Sequence, residues 1–492
     1  MVLSRATPFG RLRATVMRKR TVGMTPTRRG FLAGGGSAAI LAGGAPRRAW
    51  GRTSHDVIII GAGLAGLAAA KRLEDAGLTC MIIEGEGRVG GRLHTLRDLP
   101  GAPEAGGIQV GRGYKLLRGI AAGLKVPIVE GGGAGAGAVE SRNALFHING
   151  QTVRGEDWAA SPANRLSENE RRVLPLALAM HHARALPTLA SPEAWLDAPP
   201  ALDVSYAAAL RAHGASAEAL RLIEANLNGN TLAGMSALSV ARTIAIFRAG
   251  PGPTATIGGG SQALPQAMWK ALDTAVLFDS RVVAILEEPD GVTVWDSKMK
   301  HRARHVLCTI PFAALRDVPV MGPLAPSIAT LIPSLAYTRA SFAYLSATTP
   351  FWKEDGGPET LWTDDPLIGR LFVLGDDPPV LKLWTVGAGA DLLDRMPPAA
   401  ASAAIVAKIE AMRPAATGKI KVERFFSWQK QSGARGIYHH IGTGQAATLA
   451  AATRHQGSRL HFAGEHLAQA SSGMEGALES GLRAAGAILA RT

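Results

Sequence analysis

Apolar and polar positions alternate along the chain in blocks of two different periods. Val57-Ile58-Ile59-Ile60 is an unbroken β-branched run, the pattern of a strand buried on both faces of a parallel sheet. Residues 64–76 change to helical spacing, Gly77 stands where a C-capping glycine belongs, and Cys80-Met81-Ile82-Ile83 reads as a second strand. Strand, helix and strand in succession form a parallel βαβ unit. Helices are expected over 114–124, 168–185 and 399–412, from a Ser216 cap to Leu227, and from Ser261 to Leu272. Strands are expected over 280–285, 305–311, 337–345, 381–386 and 422–428, with a hairpin at Asp290-Gly291. The mixture predicts an α/β protein.

Chemistry enters at the turn after the first strand. Gly61, Gly63 and Gly66 give G-x-G-x-x-G, in which the first glycine makes the turn, the second admits a pyrophosphate and the third lets helix and strand approach. The helix that starts at Leu64-Ala65 points unpaired N–H groups and the positive end of its dipole at that phosphate. Glu84 ends the second strand, where a carboxylate can take both hydroxyls of a ribose, which implies no 2′-phosphate. A second glycine turn, Arg88-Val89-Gly90-Gly91-Arg92, follows. The unit is a dinucleotide site.

Charge changes the picture at the amino end. The chain is +14, yet residues 1–54 hold eleven of its 53 Lys and Arg and none of its 39 acids, leaving +3 elsewhere. Arg28-Arg29 precede an apolar Gly/Ala-rich run ending near Ala45, the form of a twin-arginine export signal. The run is too short and glycine-rich to span a membrane stably. The expected partner is the twin-arginine export machinery, which moves folded proteins, and the expected destination is the periplasm or the exterior. Nucleic-acid binding is excluded, since no basic stripe interleaved with aromatics remains. Cys80 and Cys308 lie in expected strands and read as unpaired core thiols. His181-His182 and His439-His440 are adjacent pairs without metal-ligand spacing. The length left after a signal exceeds one ordinary domain.

Two segments carry a family resemblance. Arg88-Val89-Gly90-Gly91-Arg92, beside the first glycine turn, and Leu460-His461-Phe462-Ala463-Gly464-Glu465-His466 followed by Met474-Glu475-Gly476-Ala477-Leu478-Glu479-Ser480-Gly481 closely resemble motifs of the flavin-containing amine oxidase superfamily. That family includes monoamine, polyamine and L-amino-acid oxidases. The resemblance implies a discontinuous Rossmann-like FAD-binding domain over 55–125, 254–312 and 456–492, after a signal and linker over 1–54. A second, α+β substrate-binding domain would occupy 126–253, mostly helical, and 313–455. A Gly-rich stretch over 131–137 reads as a link.

What the resemblance implies about the site is specific. Gly91, Arg92, Gly107 and Ile108 would lie along the dinucleotide and flavin. Val282 would meet the adenine through its backbone. Gly464 would lie close to the pyrophosphate, Glu465 would bind ribityl or ribose hydroxyls, and the helix start at Met474 would aim N–H groups at the flavin ring. Tyr438, ten residues beyond Trp428, would be one wall of an aromatic cage beside the ring. The implied reaction is oxidation of a small-molecule amine to an imine by hydride transfer to N5 of FAD, with dioxygen reduced to hydrogen peroxide. An L-amino-acid oxidase and a catalytically degenerate flavin-binding partner protein are the alternatives, and a homodimer stays open.

This chain also departs from the family. The cage position before Met474 is Gly473, leaving the cage half open unless another residue such as Trp428 fills it. The family's lysine beside N5 falls at Asp317 or Phe342, and Lys382 on a neighbouring strand reads as solvated rather than as a substitute. Gln109 stands where a carboxylate-gripping arginine would be, with Arg97 and Arg112 nearby and read as surface. Ile437 occupies the place of the cysteine used for covalent flavin attachment, so FAD is expected to be non-covalent. Trp158, Trp195, Asn226, Asn228 and Asn230 read as core and capping residues.

Overall fold

The computed structural model describes residues 55–131, 144–184, 186 and 188–492. The export signal and the glycine link beyond Gly131 lie outside these residues.

Two sheets organise the described chain. The first has eight strands, ordered Val320–Met321, Val282–Glu288, Gly291–Asp296, Lys300–Cys308, His55–Ile60, Cys80–Ile83 and Ala275–Leu277, with Leu460–Phe462 also pairing to Lys300–Cys308. Its centre is parallel: His55–Ile60 lies between Lys300–Cys308 and Cys80–Ile83. The β-branched run explains this placement. Val57 and Ile59 enter the apolar layer of helix Leu64–Asp75, while Ile58 and Ile60 enter the layer on the opposite face, so the strand is buried on both faces from Val57 to Ile60. The closing helix Gly473–Leu489 packs on helix Leu64–Asp75, brought close by Gly481, where a Cβ would stand 2.2 Å from the Ala65 carbonyl oxygen.

The second sheet has seven strands, ordered Ile420–Ser427, Ala340–Ala347, Pro379–Val386, Arg370–Asp376, Thr360–Thr363, Leu145–Ile148 and Gln151–Arg154. Its neighbours are antiparallel except Thr360–Thr363 with Leu145–Ile148. Alternation divides its residues. Leu345, Leu381, Leu383, Leu371 and Val373 pack with helix Pro398–Met412 through Ile405 and Ile409. The alternate positions Phe342, Tyr344, Lys382, Trp384, Arg370, Phe372 and Phe426 therefore share the opposite face.

Several expectations need correction. The helix expected over 168–185 is a turn, a 3₁₀ segment Pro175–Ala177 and a short helix Leu178–Ala183. Pro175 cannot lie inside a continuous helix, and Glu170 instead accepts hydrogen bonds from Ser167, Ser216 and His182. The strand expected from Tyr337 runs over Ala340–Ala347, because the backbone before it has other partners: the Tyr337 carbonyl and the Arg339 N–H bond Asn230, and the Thr338 N–H donates to the Tyr438 carbonyl at 2.9 Å. The Ser216 cap forms, its hydroxyl accepting from Ala219 N–H at 3.1 Å. Cys80 and Cys308 are buried free thiols, and Trp158 and Trp195 are core.

Candidate functional site

The first glycine turn has the shape of a phosphate cradle. Gly61 has φ +105°, the left-handed region that a side chain resists. A Cβ on Gly66 would stand 2.0 Å from the Gly61 carbonyl oxygen, so helix and turn touch there. At Gly63 a Cβ would meet nothing within 4 Å, and Gly91 of the second turn lies 3.5 Å from the Gly63 Cα when a Cβ is built on it. Gly63 also caps helix Leu64–Asp75 without a side-chain hydrogen bond, and Leu64 and Ala65 begin that helix buried. Open space, free N–H groups and a helix dipole converge on one point, which fits a dinucleotide phosphate.

Glu84 lies beside this cradle. Its Oε2 accepts from Ala62 N–H at 2.7 Å and its Oε1 from Glu86 N–H at 2.8 Å. Burial pushes its carboxyl up against those bonds. Ser280 N–H donates to the Glu84 carbonyl at 2.9 Å, which brings buried Val282, two residues on, to the same edge.

The other end of the site is built from segments far apart in sequence. Glu465 is buried and fully engaged: Oε1 pairs with His439 Nδ1 at 2.7 Å, and Oε2 accepts from Arg92 at 3.2 Å. Burial alone would raise this carboxyl, but His439 and Arg92 outweigh it and hold it down to about 2. Arg92 also donates to the Ile437 carbonyl. One charged cluster thus ties the second glycine turn, the Tyr438 segment and the carboxyl-terminal motif together. Gly464 donates its N–H to Ser480 Oγ at 3.0 Å, and beside it both ring nitrogens of buried His466 lack a hydrogen-bond partner. Met474 packs 3.6 Å from where a Cβ of Gly107 would be, and Gly107 N–H donates to the Arg92 carbonyl at 3.2 Å. Half-buried Ile108 follows. Glu475 does not face the site; its carboxylate accepts from Leu116 and Leu117 N–H at 2.7 and 2.9 Å, capping helix Lys115–Gly123.

The second sheet closes the site from the opposite side. Lys382 Nζ donates to the Glu104 carbonyl at 2.8 Å, Tyr344 Oη donates to the same oxygen at 2.8 Å, and Trp428 Nε1 donates to the Ala105 carbonyl at 2.6 Å. These bonds fix the backbone that leads into Gly106 and Gly107. Lys382 is 2% exposed, with its ammonium 4.0 Å from the Phe342 ring centre and 5.1 Å from that of Trp384. The expectation of a solvated lysine is wrong, because its position on the inner face of the sheet buries it. Burial lowers it to about 7, partly offset by the Glu104 charge.

The Gly473 departure has a physical reason. Gly473 has φ +56°, and a Cβ there would stand 3.1 Å from the Tyr114 hydroxyl. Tyr114, not Trp428, takes the adjacent volume. Sequence reasoning missed it because Tyr114 reads as the start of a helix. Tyr438 is half-buried; burial raises its hydroxyl to about 12, with Arg370 and Glu465 as its charged neighbours. Arg97 and Arg112 are exposed, Gln109 is exposed, and Asp317 pairs with Arg435 on the surface. None of these four enters the site. Asn230 bonds the Tyr337 carbonyl and Arg339 N–H, and Asn228 accepts from Arg370.

Known proteins share this fold. A family model described as flavin containing amine oxidoreductase matches residues 64–489. An L-amino-acid oxidase of Siganus canaliculatus is 25% identical over 473 residues, covering 88% of this chain and 85% of its own. Cyclohexylamine oxidase from Brevibacterium oxydans IH-35A superposes with a TM-score of 0.72 at 24% identity, over 88% of this chain and 98% of that one. Wild-type putrescine oxidase bound to putrescine gives 0.71 at 23%, over 89% and 99%. The two structural likenesses establish the fold, a Rossmann-like α/β domain joined to a second, substrate-side sheet.

Proposed function

Because the chain belongs to the flavin containing amine oxidoreductase family, and is an FAD-dependent amine oxidase, we propose that it oxidises the C–N bond of a small-molecule amine to an imine. FAD, when bound, would supply the hydride acceptor at N5 and the two-electron route to dioxygen that gives hydrogen peroxide. The observation that carries the reading is the convergence at one place of the Glu104–Gly107 backbone, the Ile437–His439 segment and the helix start at Gly473-Met474, tied by Lys382, Trp428, Arg92 and Glu465.

Each residue has a physical task. Gly63, Gly91 and the first turn of helix Leu64–Asp75 hold the pyrophosphate. Glu84 and Val282 hold the adenosine end. N–H groups at the helix start Gly473-Met474 would turn the positive end of that helix dipole toward a bound flavin. Tyr438 aligns the amine, and Phe342, Trp384, Phe426 and Ile437 exclude water around it. Lys382, neutral above about 7 and held against the Glu104 carbonyl, stands one strand from Phe342, one of the two places the resemblance gives the family's lysine, and would supply or take up the proton when dioxygen is reduced. Ile437 in place of a cysteine leaves FAD non-covalent.

The test is an anaerobic screen of the FAD-loaded protein with amines and amino acids, followed by admission of oxygen. Bleaching of the flavin by any of them and recovery of its colour with peroxide supports the reading; a flavin that no amine or amino acid bleaches sinks it. We also propose that Arg28-Arg29 direct export of the folded, loaded protein to the periplasm or exterior. Arg28→Lys with Arg29→Lys is expected to leave the precursor in the cytoplasm, and continued export would end that reading.

A further inference from the structure

One buried cation in the site has no acid to answer it. Arg370 is 7% exposed, and its guanidinium donates to two neutral groups, Asn228 Oδ1 at 2.9 Å and the Asn226 carbonyl. Among the described residues no carboxylate lies within 4.0 Å of it. Buried Arg413, by contrast, pairs with Asp355 at 2.7 Å. A desolvated charge without a counter-ion is costly, and proteins seldom keep one without use. Burial lowers Arg370 to about 10, so it remains a cation at neutral pH.

Its neighbours repeat the imbalance. Arg370 is the cross-strand partner of both Trp362 and Trp384, so the three side chains lie on one face. The guanidinium stacks 4.6 Å from the Trp362 ring centre. The indole N–H groups of Trp362 and Trp384 are buried donors without an acceptor. On the adjacent row, Lys382 bonds a carbonyl and no carboxylate. This face thus offers a guanidinium, two indole N–H groups and aromatic walls. The Trp384 ring centre lies 5.1 Å from that of Phe342 and 5.1 Å from the Lys382 ammonium, which puts the set beside the Lys382 wall of the site.

We propose that the amine oxidised here carries a carboxylate, as an α-amino acid does, and that Arg370 grips that carboxylate with an indole N–H of Trp384 or Trp362 beside it. This rests on the C–N oxidation reading and specifies its substrate. The amino acid would lose the hydrogen on its amine-bearing carbon as hydride to FAD and one N–H proton to solvent, forming a C=N bond. Water would release ammonia and a 2-oxo acid, and dioxygen would take the two electrons as hydrogen peroxide. Arg370 is a binding group and takes no part in bond breaking.

The experiment compares matched pairs on the FAD-loaded enzyme under anaerobic conditions: phenylalanine against phenethylamine, and leucine against 3-methylbutylamine. The amino acid of each pair is expected to bleach the flavin at concentrations about 100-fold lower than its amine, the range of a charge-assisted bidentate contact. Arg370→Met is expected to raise the half-saturating amino-acid concentration about 100-fold while leaving the amine's unchanged, and Arg370→Lys to recover part of the loss. Benzoate is expected to perturb the flavin spectrum of the wild type and not of Arg370→Met, with benzyl alcohol as the neutral control. If Arg370→Met does not retain FAD, the paired substrates and benzoate on the wild type decide. Amines bleaching as well as amino acids, or benzoate without effect, overturns the carboxylate grip and leaves C–N oxidation standing. No bleaching by either class overturns both.

Discussion

The cofactor cradle and the substrate face use different parts of the chain for recognition. At the cradle the contacts are backbone: Gly63 leaves open space, Gly91 adjoins it, and helix Leu64–Asp75 presents its N–H groups. On the substrate face they are side chains: Arg370, Trp384, Lys382 and Phe342, brought together by pairing among three strands. Backbone recognition demands glycines at fixed local spacing and so leaves a readable pattern. Side-chain recognition demands a cross-strand row, which no local pattern records.

The difference predicts how each region fails. Gly63→Val places a side chain in the pyrophosphate space and is expected to abolish FAD retention, read as the flavin-to-protein absorbance ratio; a loaded variant would break the cradle assignment. Tyr438→Ala is expected to lower turnover by about 10- to 100-fold with FAD still bound, the cost of lost alignment; unchanged kinetics would remove Tyr438 from the site.

Lys382→Met is expected to slow flavin reoxidation by oxygen about tenfold while sparing anaerobic reduction. It also carries a pH signature. The folded value of about 7 lies below the unfolded 10.5, so the folded state holds fewer protons between them. Wild-type stability should therefore rise with pH from about 7 to 10.5 and be flat with respect to this group below 7. Thermal unfolding of the loaded proteins should show Lys382→Met stabilised relative to wild type at pH 6, with the advantage shrinking toward pH 10. The smallest effect is Trp428→Phe, which removes one buried hydrogen bond to Ala105 and is expected to cost about 1 kcal/mol; a larger loss of activity than of stability would make Trp428 part of the chemistry.

Legibility followed the same division. The first strand and the first helix lie within one or two residues of where the apolar pattern places them, because their spacing is local, and the closing helix begins one residue before the Met474 that the resemblance implies. The helix expected over 168–185 failed at Pro175, where a breaker was outweighed by composition. Tyr114 filling the volume at Gly473, the burial of Lys382 and the Asn228 contact to Arg370 were not legible. Each depends on residues distant in sequence, and in isolation each resembles a helix start, a surface lysine or a cap. His439 beside Glu465 shows the same: its sequence neighbour His440 suggested nothing, and its partner lies in another segment.

The central claim is that residues from both regions hold an amine carbon where its hydrogen can leave as hydride. The most direct measurement is anaerobic bleaching of the bound flavin by one substrate with hydrogen or deuterium on the amine-bearing carbon. Bleaching is expected to be slower with deuterium at that carbon. A flavin that stays oxidised with every amine and amino acid offered would contradict it.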